Sequence, residues 1–133
     1  MGHVKTDIHE KGRTYNATYA LNSADGVRAL LRDRHKIAER RFRGDYDASA
    51  ILIDLHSAIE SAALTERQAE AIAWVYGLDV TQTEAARQMG ITQQAVQQAV
   101  ESAAERIAGV YSRWSYGEVS VELTKDNAEE AAV

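Results

Sequence analysis

The 133-residue chain predicts a mainly α fold: a tri-helical core, additional N-terminal helices, and a small two-stranded sheet formed by the two ends. Three observations predict it. Proline is absent and alanine abundant, which removes the strongest helix breaker and supplies the strongest helix former. Apolar residues recur at helical spacing through most of residues 24–114. Two short segments, one near each end, alternate apolar and polar residues instead. At this length one domain with a modest core is expected without covalent staples, and the absence of cysteine excludes disulfides and thiolate zinc sites.

Taken in order, residues 13–20 (RTYNATYA) put Tyr15, Ala17 and Tyr19 on one side of a short strand. Asn22 or Ser23 then caps a helix over about 24–42, whose apolar side is Val27, Leu30, Leu31, Ile37, Ala38 and Phe42. Gly44 and Asp45 break it, and Asp47 is placed to cap the next helix, 48–63. There Ile51, Leu52, Leu55, Ala58, Ile59 and Ala62 make one broad stripe. Helices at 66–76, 82–89 and 93–114 follow, the last with Val96, Ala99, Val100, Ala103, Ile107, Val110 and Trp114 along one face. Trp74, Tyr76 and Trp114 suit core positions where helices cross. Glu118–Leu123 alternates again, with Val119, Val121 and Leu123 on one side, and is expected to pair with Tyr15–Tyr19. The final TKDNAEEAAV has too little apolar matter to pack and is expected to be disordered. The organisation is therefore an N-terminal extension with a basic helix (1–47), a central domain (48–114), and a short strand with an acidic tail (115–133).

The stretch from Leu64 to Val100 carries the strongest local signal, that of a helix-turn-helix. A steep helix crossing needs small residues, which Ala85 and Ala86 supply. The turn needs a residue that tolerates positive φ, which is Gly90. Ile91 plugs the corner, and Val96 and Ala99 face back onto the first helix; Met89 lies beside them. Thr81 with Glu84 has capping-box spacing, Thr92 caps the second helix, and Thr65 with Gln68 starts the helix before them.

These residues resemble region four of bacterial RNA polymerase sigma factors. The resemblance is stronger still to the small sigma-like regulators of bacteriophages and prophages, a group that includes the ArpU-type late-gene regulators. The shared pattern is Leu64, Thr65, Glu66, Arg67 and Gln68; then Trp74 and Tyr76; then Thr81, Glu84 and Ala86; then Gly90, Ile91, Thr92 and Val96. The preceding YDASAILIDLHSAIESA is similar to the helix that leads into the motif in the phage proteins, so the resemblance covers roughly residues 46–111. It implies binding to a promoter element in double-stranded DNA, or contact with bacterial RNA polymerase, in the cytoplasm of a bacterium or of a phage-infected cell. No apolar run approaches the ~18 residues of a membrane span, and no signal-peptide core follows Met1.

Net charge is −5, unusual for a DNA binder, but the average conceals a division. Residues 28–43 hold seven basic against two acidic residues, net +5. Residues 45–84 hold eight acids against Arg67, net −7, and residues 117–133 are net −4. With Val96, Ala99, Val100 and Ala103 inward, a helical wheel leaves Gln94, Gln97, Gln98, Glu101 and Glu105 outward, with Gln93 at the flank. Glutamine donates and accepts together, so Gln93, Gln94, Gln97 and Gln98 suit base reading in the major groove. The recognition helix is thus about residues 93–101. Thr81, Thr92, Arg67 and Arg87 are the phosphate candidates within the motif. Arg28, Arg32, Lys36 and Arg40, at i, i+4 spacing, with Arg43 three residues further on, form a basic face that would meet DNA or an acidic partner, such as a second subunit or polymerase.

Other chemistry finds no support. His3, His9, His35 and His56 lack ligand spacing, so no metal or cofactor is expected. Asp45 and Asp47 suit caps better than a catalytic pair, and no phosphate loop, Ser/His/Asp arrangement or nucleophilic cysteine is present, so the chain does not read as an enzyme. The leading reading is a sequence-specific DNA-binding transcription regulator. The alternatives are a small terminase-like DNA-packaging component, for which the ends would serve a homo-oligomer, and a protein-binding module that grips RNA polymerase.

Overall fold

The computed structural model describes residues 14–42 and 44–125, so Arg43, the first thirteen residues, and the tail beyond Lys125 lie outside the description. The described residues form strand β1 (Thr14–Ala20), helices α1 (Ala24–Arg32), α2 (Arg34–Phe42), α3 (Tyr46–Ser61) and α4 (Glu66–Ile72), a π-helical turn (Ala73–Gly77), α5 (Gln82–Met89), α6 (Gln93–Arg113) and strand β2 (Glu118–Thr124). The mainly α class with a two-stranded sheet is the one expected.

The two ends do pair. β1 runs antiparallel to β2 with Tyr15 opposite Leu123, Ala17 opposite Val121 and Tyr19 opposite Val119. Because side chains alternate across a strand, this register puts both apolar sets on one face, where Tyr19, Val121 and Leu123 are buried. The polar face carries a cross-strand bond between the Thr18 and Ser120 hydroxyls at 2.9 Å. Thr124, expected to begin the disordered tail, belongs to β2; the rest of that expectation, from Asp126 on, lies outside the described residues.

The predicted 24–42 helix is two helices. Asp33 leaves the helical path at φ −91° and ψ 4°, its N–H capping α1 on Ala29 and Leu31 while its carbonyl accepts from Ile37 and starts α2. A tertiary contact holds the bend. The Tyr19 hydroxyl donates to the Asp33 carboxylate at 2.7 Å, and burial together with that bond raises the Tyr19 pKa. The bend lets α1 pack on α6 and β1 while α2 packs on α3 and β2. Ser23, not Asn22, caps α1 by accepting from Gly26 N–H at 3.1 Å. Asp45, not Asp47, caps α3, accepting from Ala48 N–H at 3.1 Å, so α3 starts two residues early. Gly44, at φ +84°, closes α2 and delivers Asp45 in the extended conformation that a cap needs.

Two apolar clusters share α6 as their spine. The larger gathers β1, β2, α1, α2 and α3 around Ala103, Ala104, Ile107, Ala108, Val110 and Tyr111 of its C-terminal half. The smaller holds the helix-turn-helix around Val96, Ala99 and Val100 of its N-terminal half. Trp114 departs from expectation: it terminates α6 at 42% exposed, with an edge-on contact to Tyr111 at 5.7 Å. Tyr116 donates to Asp54 at 2.7 Å, tying the connection before β2 to α3; burial, then this bond, pushes its pKa up to about 12. No helix among the described residues is long and apolar enough to cross a membrane.

Candidate nucleic-acid interface

Capping fixes where each helix of the motif begins. Thr65 accepts from Gln68 N–H at 3.2 Å while the Gln68 side chain accepts from Thr65 N–H at 3.0 Å, a complete reciprocal box. Thr81 accepts from Glu84 N–H at 3.1 Å, but the return half of the box is not made. The Glu84 carboxylate instead accepts from Arg87 at 2.7 Å and Gln88 at 2.9 Å, and these bonds lower its pKa. Thr92 accepts from Ala95 N–H at 3.0 Å and starts α6.

The helix expected over 66–76 is regular only to Ile72. Trp74, Val75 and Tyr76 are three successive large side chains, all half-buried, and a regular 100° step cannot turn all three toward one cluster. The backbone widens into the π turn, closed by Leu78 N–H donating to the Ala73 carbonyl at 2.8 Å. Tyr76 thereby touches both clusters.

The corner has the expected construction. Gly90 takes the left-handed conformation at φ +69°, ψ +33°, and Ile91 N–H donates to the Ala86 carbonyl at 3.0 Å, the long bond of a Schellman turn. Ala85 and Ala86 are buried where α5 meets α6, with Val96 and Ala99 facing them and Ile91 and Met89 packed at the edge. A Cβ on Gly90 would meet nothing within 4 Å, so the demand there is conformational alone. Gly90→Val should destabilise the protein by more than about 1 kcal/mol, since a β-branched residue tolerates this region poorly. A thermal melt equal to that of the parent would show that the turn does not need it.

With the inner face of α6 so occupied, Gln93, Gln94, Gln97 and Gln98 are all exposed on its first two turns, and Glu101 and Glu105 are exposed beyond them. Arg67, in the first turn of α4, is exposed; Arg87 is exposed but held by Glu84. Thr81 and Thr92 sit at the N-termini of α5 and α6, their oxygens committed to capping and their hydroxyl hydrogens left to donate.

The basic face does not survive as one stripe, because the bend at Asp33 interrupts the i, i+4 series. Arg28 is shared between Asp25 and Glu101, the latter at 3.4 Å. Arg32 lies 3.4 Å from Asp33, and Arg40, mostly covered, lies 3.8 Å from Asp45. Lys36 donates to the Tyr15 hydroxyl at 3.3 Å and lies 5.8 Å from that ring's centre. Arg43 lies outside the described residues. Arg28 is nevertheless brought beside the exposed side of α6, a contact across 73 residues that no sequence period reveals. Arg106, likewise unmarked by spacing, donates to the Gln68 side chain at 3.3 Å and links α6 to the start of α4.

A three-helix corner with small residues at the crossing, capped starts and a glutamine-rich outward face on the first two turns of α6 is the architecture of a helix-turn-helix. Residues 62–108 match the family model Sigma-70, region 4. The region 4 segment spans α4, the π turn, α5 and most of α6, about a third of the chain, and leaves β1 to α3 and β2 outside it. No curated protein and no solved structure matches the chain. The region 4 match gives residues 62–108 a DNA-binding, transcription-related character, and region 4 is a binding family rather than an enzymatic one.

Proposed function

We propose that the protein is a sequence-specific DNA-binding regulator of transcription, of the sigma-like type found in phages and prophages. Residues 93–101 of α6 enter the major groove of double-stranded DNA. The observation that carries this reading is the run of exposed glutamines on the first two turns of a helix whose opposite side is locked in the motif's core. Gln93, Gln94, Gln97 and Gln98 read base edges, a task for which paired donor and acceptor atoms suit adenine. Thr81, Thr92, Arg67 and Arg87 contact phosphate and set the register. Of the N-terminal basic residues, Arg28 lies beside the exposed side of α6, where it touches Glu101. Residues 1–47 are an extension and 48–114 the DNA-binding domain, with α6 joining them, and the protein works in the cytoplasm. RNA polymerase and a second copy of the chain are the proposed protein partners.

Selection from random double-stranded DNA tests the proposal and should enrich one short sequence; a pool that stays random at low salt would overturn it. On the enriched site, Arg67→Ala should weaken binding to matched and random DNA alike. It should also reduce the slope of log affinity against log salt by about 1. An unchanged slope would remove Arg67 from the phosphate contacts.

A further inference from the structure

Outside the segment that matches Sigma-70, region 4, helices α2 and α3 leave an open groove of about 350 Å³, lined by Arg34, Ala38 and Arg41 from α2 and by Leu52, Leu55, His56 and Ile59 from α3. The spacing explains the lining. Arg34, Ala38 and Arg41 fall on one face of α2 at i, i+4 and i+7, and Leu52, Leu55, His56 and Ile59 fall on one face of α3. Leu55 is buried at the bottom, while Leu52 and Ile59 are only half-covered by the core beneath.

The groove is bordered by two guanidiniums, Arg34 and Arg41, and by His56, which lies 3.1 Å from the Glu60 carboxylate. Arg28, Arg32, Arg40 and Arg87 each lie against a carboxylate. Arg34 and Arg41 have no ion pair among the described residues, although the chain carries five more acidic than basic residues. Two unpaired guanidiniums beside an apolar floor fit a ligand with carboxylates at its edge and aliphatic side chains at its centre. A nucleic-acid backbone would use the cations but gain nothing from Leu52, Leu55 and Ile59. The volume admits a few side chains and not a whole helix, so the occupant lies across the mouth and inserts its anchors.

We infer that the α2–α3 groove is a docking site for an acidic amphipathic helix of another protein. Leucine-like anchors enter between Leu52 and Ile59, and the anchors' flanking carboxylates pair with Arg34 and Arg41. Arginine is suited to this because its planar fork binds a carboxylate through two parallel bonds. The site goes beyond the DNA-reading role and would give a regulator a second hand for the machinery it recruits or restrains.

The test uses the full chain and a fluorescent sixteen-residue helical peptide with leucines in one stripe and glutamates on both flanks. Two comparators are a scrambled peptide of the same composition and one with each glutamate replaced by lysine. The acidic amphipathic peptide should bind about tenfold or more tightly than either. Amide shifts on titration should centre on Ala38, Leu52 and Ile59. The double variant Arg34→Glu/Arg41→Glu should lose the acidic peptide and gain the lysine one, while Arg34→Ala/Arg41→Ala should lose the first without gaining the second. Equal binding of scrambled and ordered peptides would mean attraction by charge alone and would overturn the inference, as would binding untouched in both variants. A parent chain that is a dimer, and a monomer in the double variant, would place a second copy in the groove instead. Variants that bind DNA more weakly, with no peptide bound by the parent, would make Arg34 and Arg41 phosphate contacts and overturn it equally.

Discussion

Replacing Ile107 with alanine should lower the stability of the whole chain by about 2–5 kcal/mol, the range for truncating a fully buried branched side chain. Ile107 is 0% exposed in the larger cluster, on the C-terminal half of α6, and makes no part of the cluster that holds the helix-turn-helix. The informative result is the form of the loss. α6 is one 21-residue helix that carries Val96, Ala99 and Val100 into the smaller cluster, and α4 and α5 both pack on it. The smaller cluster is mostly alanine and valine, too little apolar area to stand without its spine. Ile107→Ala should therefore shift a single unfolding transition seen equally by Trp74, in the smaller cluster, and by overall helicity. Two separated transitions, with the Trp74 signal unmoved, would show that the helix-turn-helix folds independently of the N-terminal elements.

What could be read from the sequence divides by the distance over which its causes act. The starts of α4, α5 and α6 are legible because Thr65, Thr81 and Thr92 each bond an N–H three residues on, and the corner is legible because only glycine sits easily at φ +69°. The inner and outer faces of α6 follow from its period, which is why the glutamines stand where the wheel put them. The sheet was legible in its alternation, and its register follows from burying both apolar sets together. The bend at Asp33 is tied by a hydrogen bond to the Tyr19 hydroxyl, fourteen residues away, and the intervening residues carry no breaker at the bend itself. Arg28 meeting Glu101 depends on α1 packing along α6 and leaves no trace in either local pattern. Both missed features rearrange charge and not the helix-turn-helix. The motif's framework was therefore more readable than its electrostatics.

Gln97→Ala should leave the fold intact and reduce discrimination at one base pair by about 1–3 kcal/mol, or roughly 5- to 150-fold in relative affinity. Gln97 is exposed on α6, one residue past buried Val96 and two before buried Ala99, so its side chain supports no core contact. Alanine is the better helix former, and the variant should melt at the parent's temperature or slightly above it. Any loss in binding is then attributable to the removed amide and not to a damaged helix. The glutamine face is uncharged, so its contribution is to sequence and not to bulk attraction: affinity for random DNA and the salt slope should both stay near the parent's. That pattern is the reverse of the one expected for Arg67→Ala, and the two variants together separate reading from holding. Measured against the selected site and its single-base variants, Gln97→Ala should flatten preference at one position and leave the others. A variant that melts normally and discriminates at every position as the parent does would take Gln97 out of the reading face. Equal loss at every position, with a lower salt slope, would mean that this part of α6 lies along the backbone instead of in the groove.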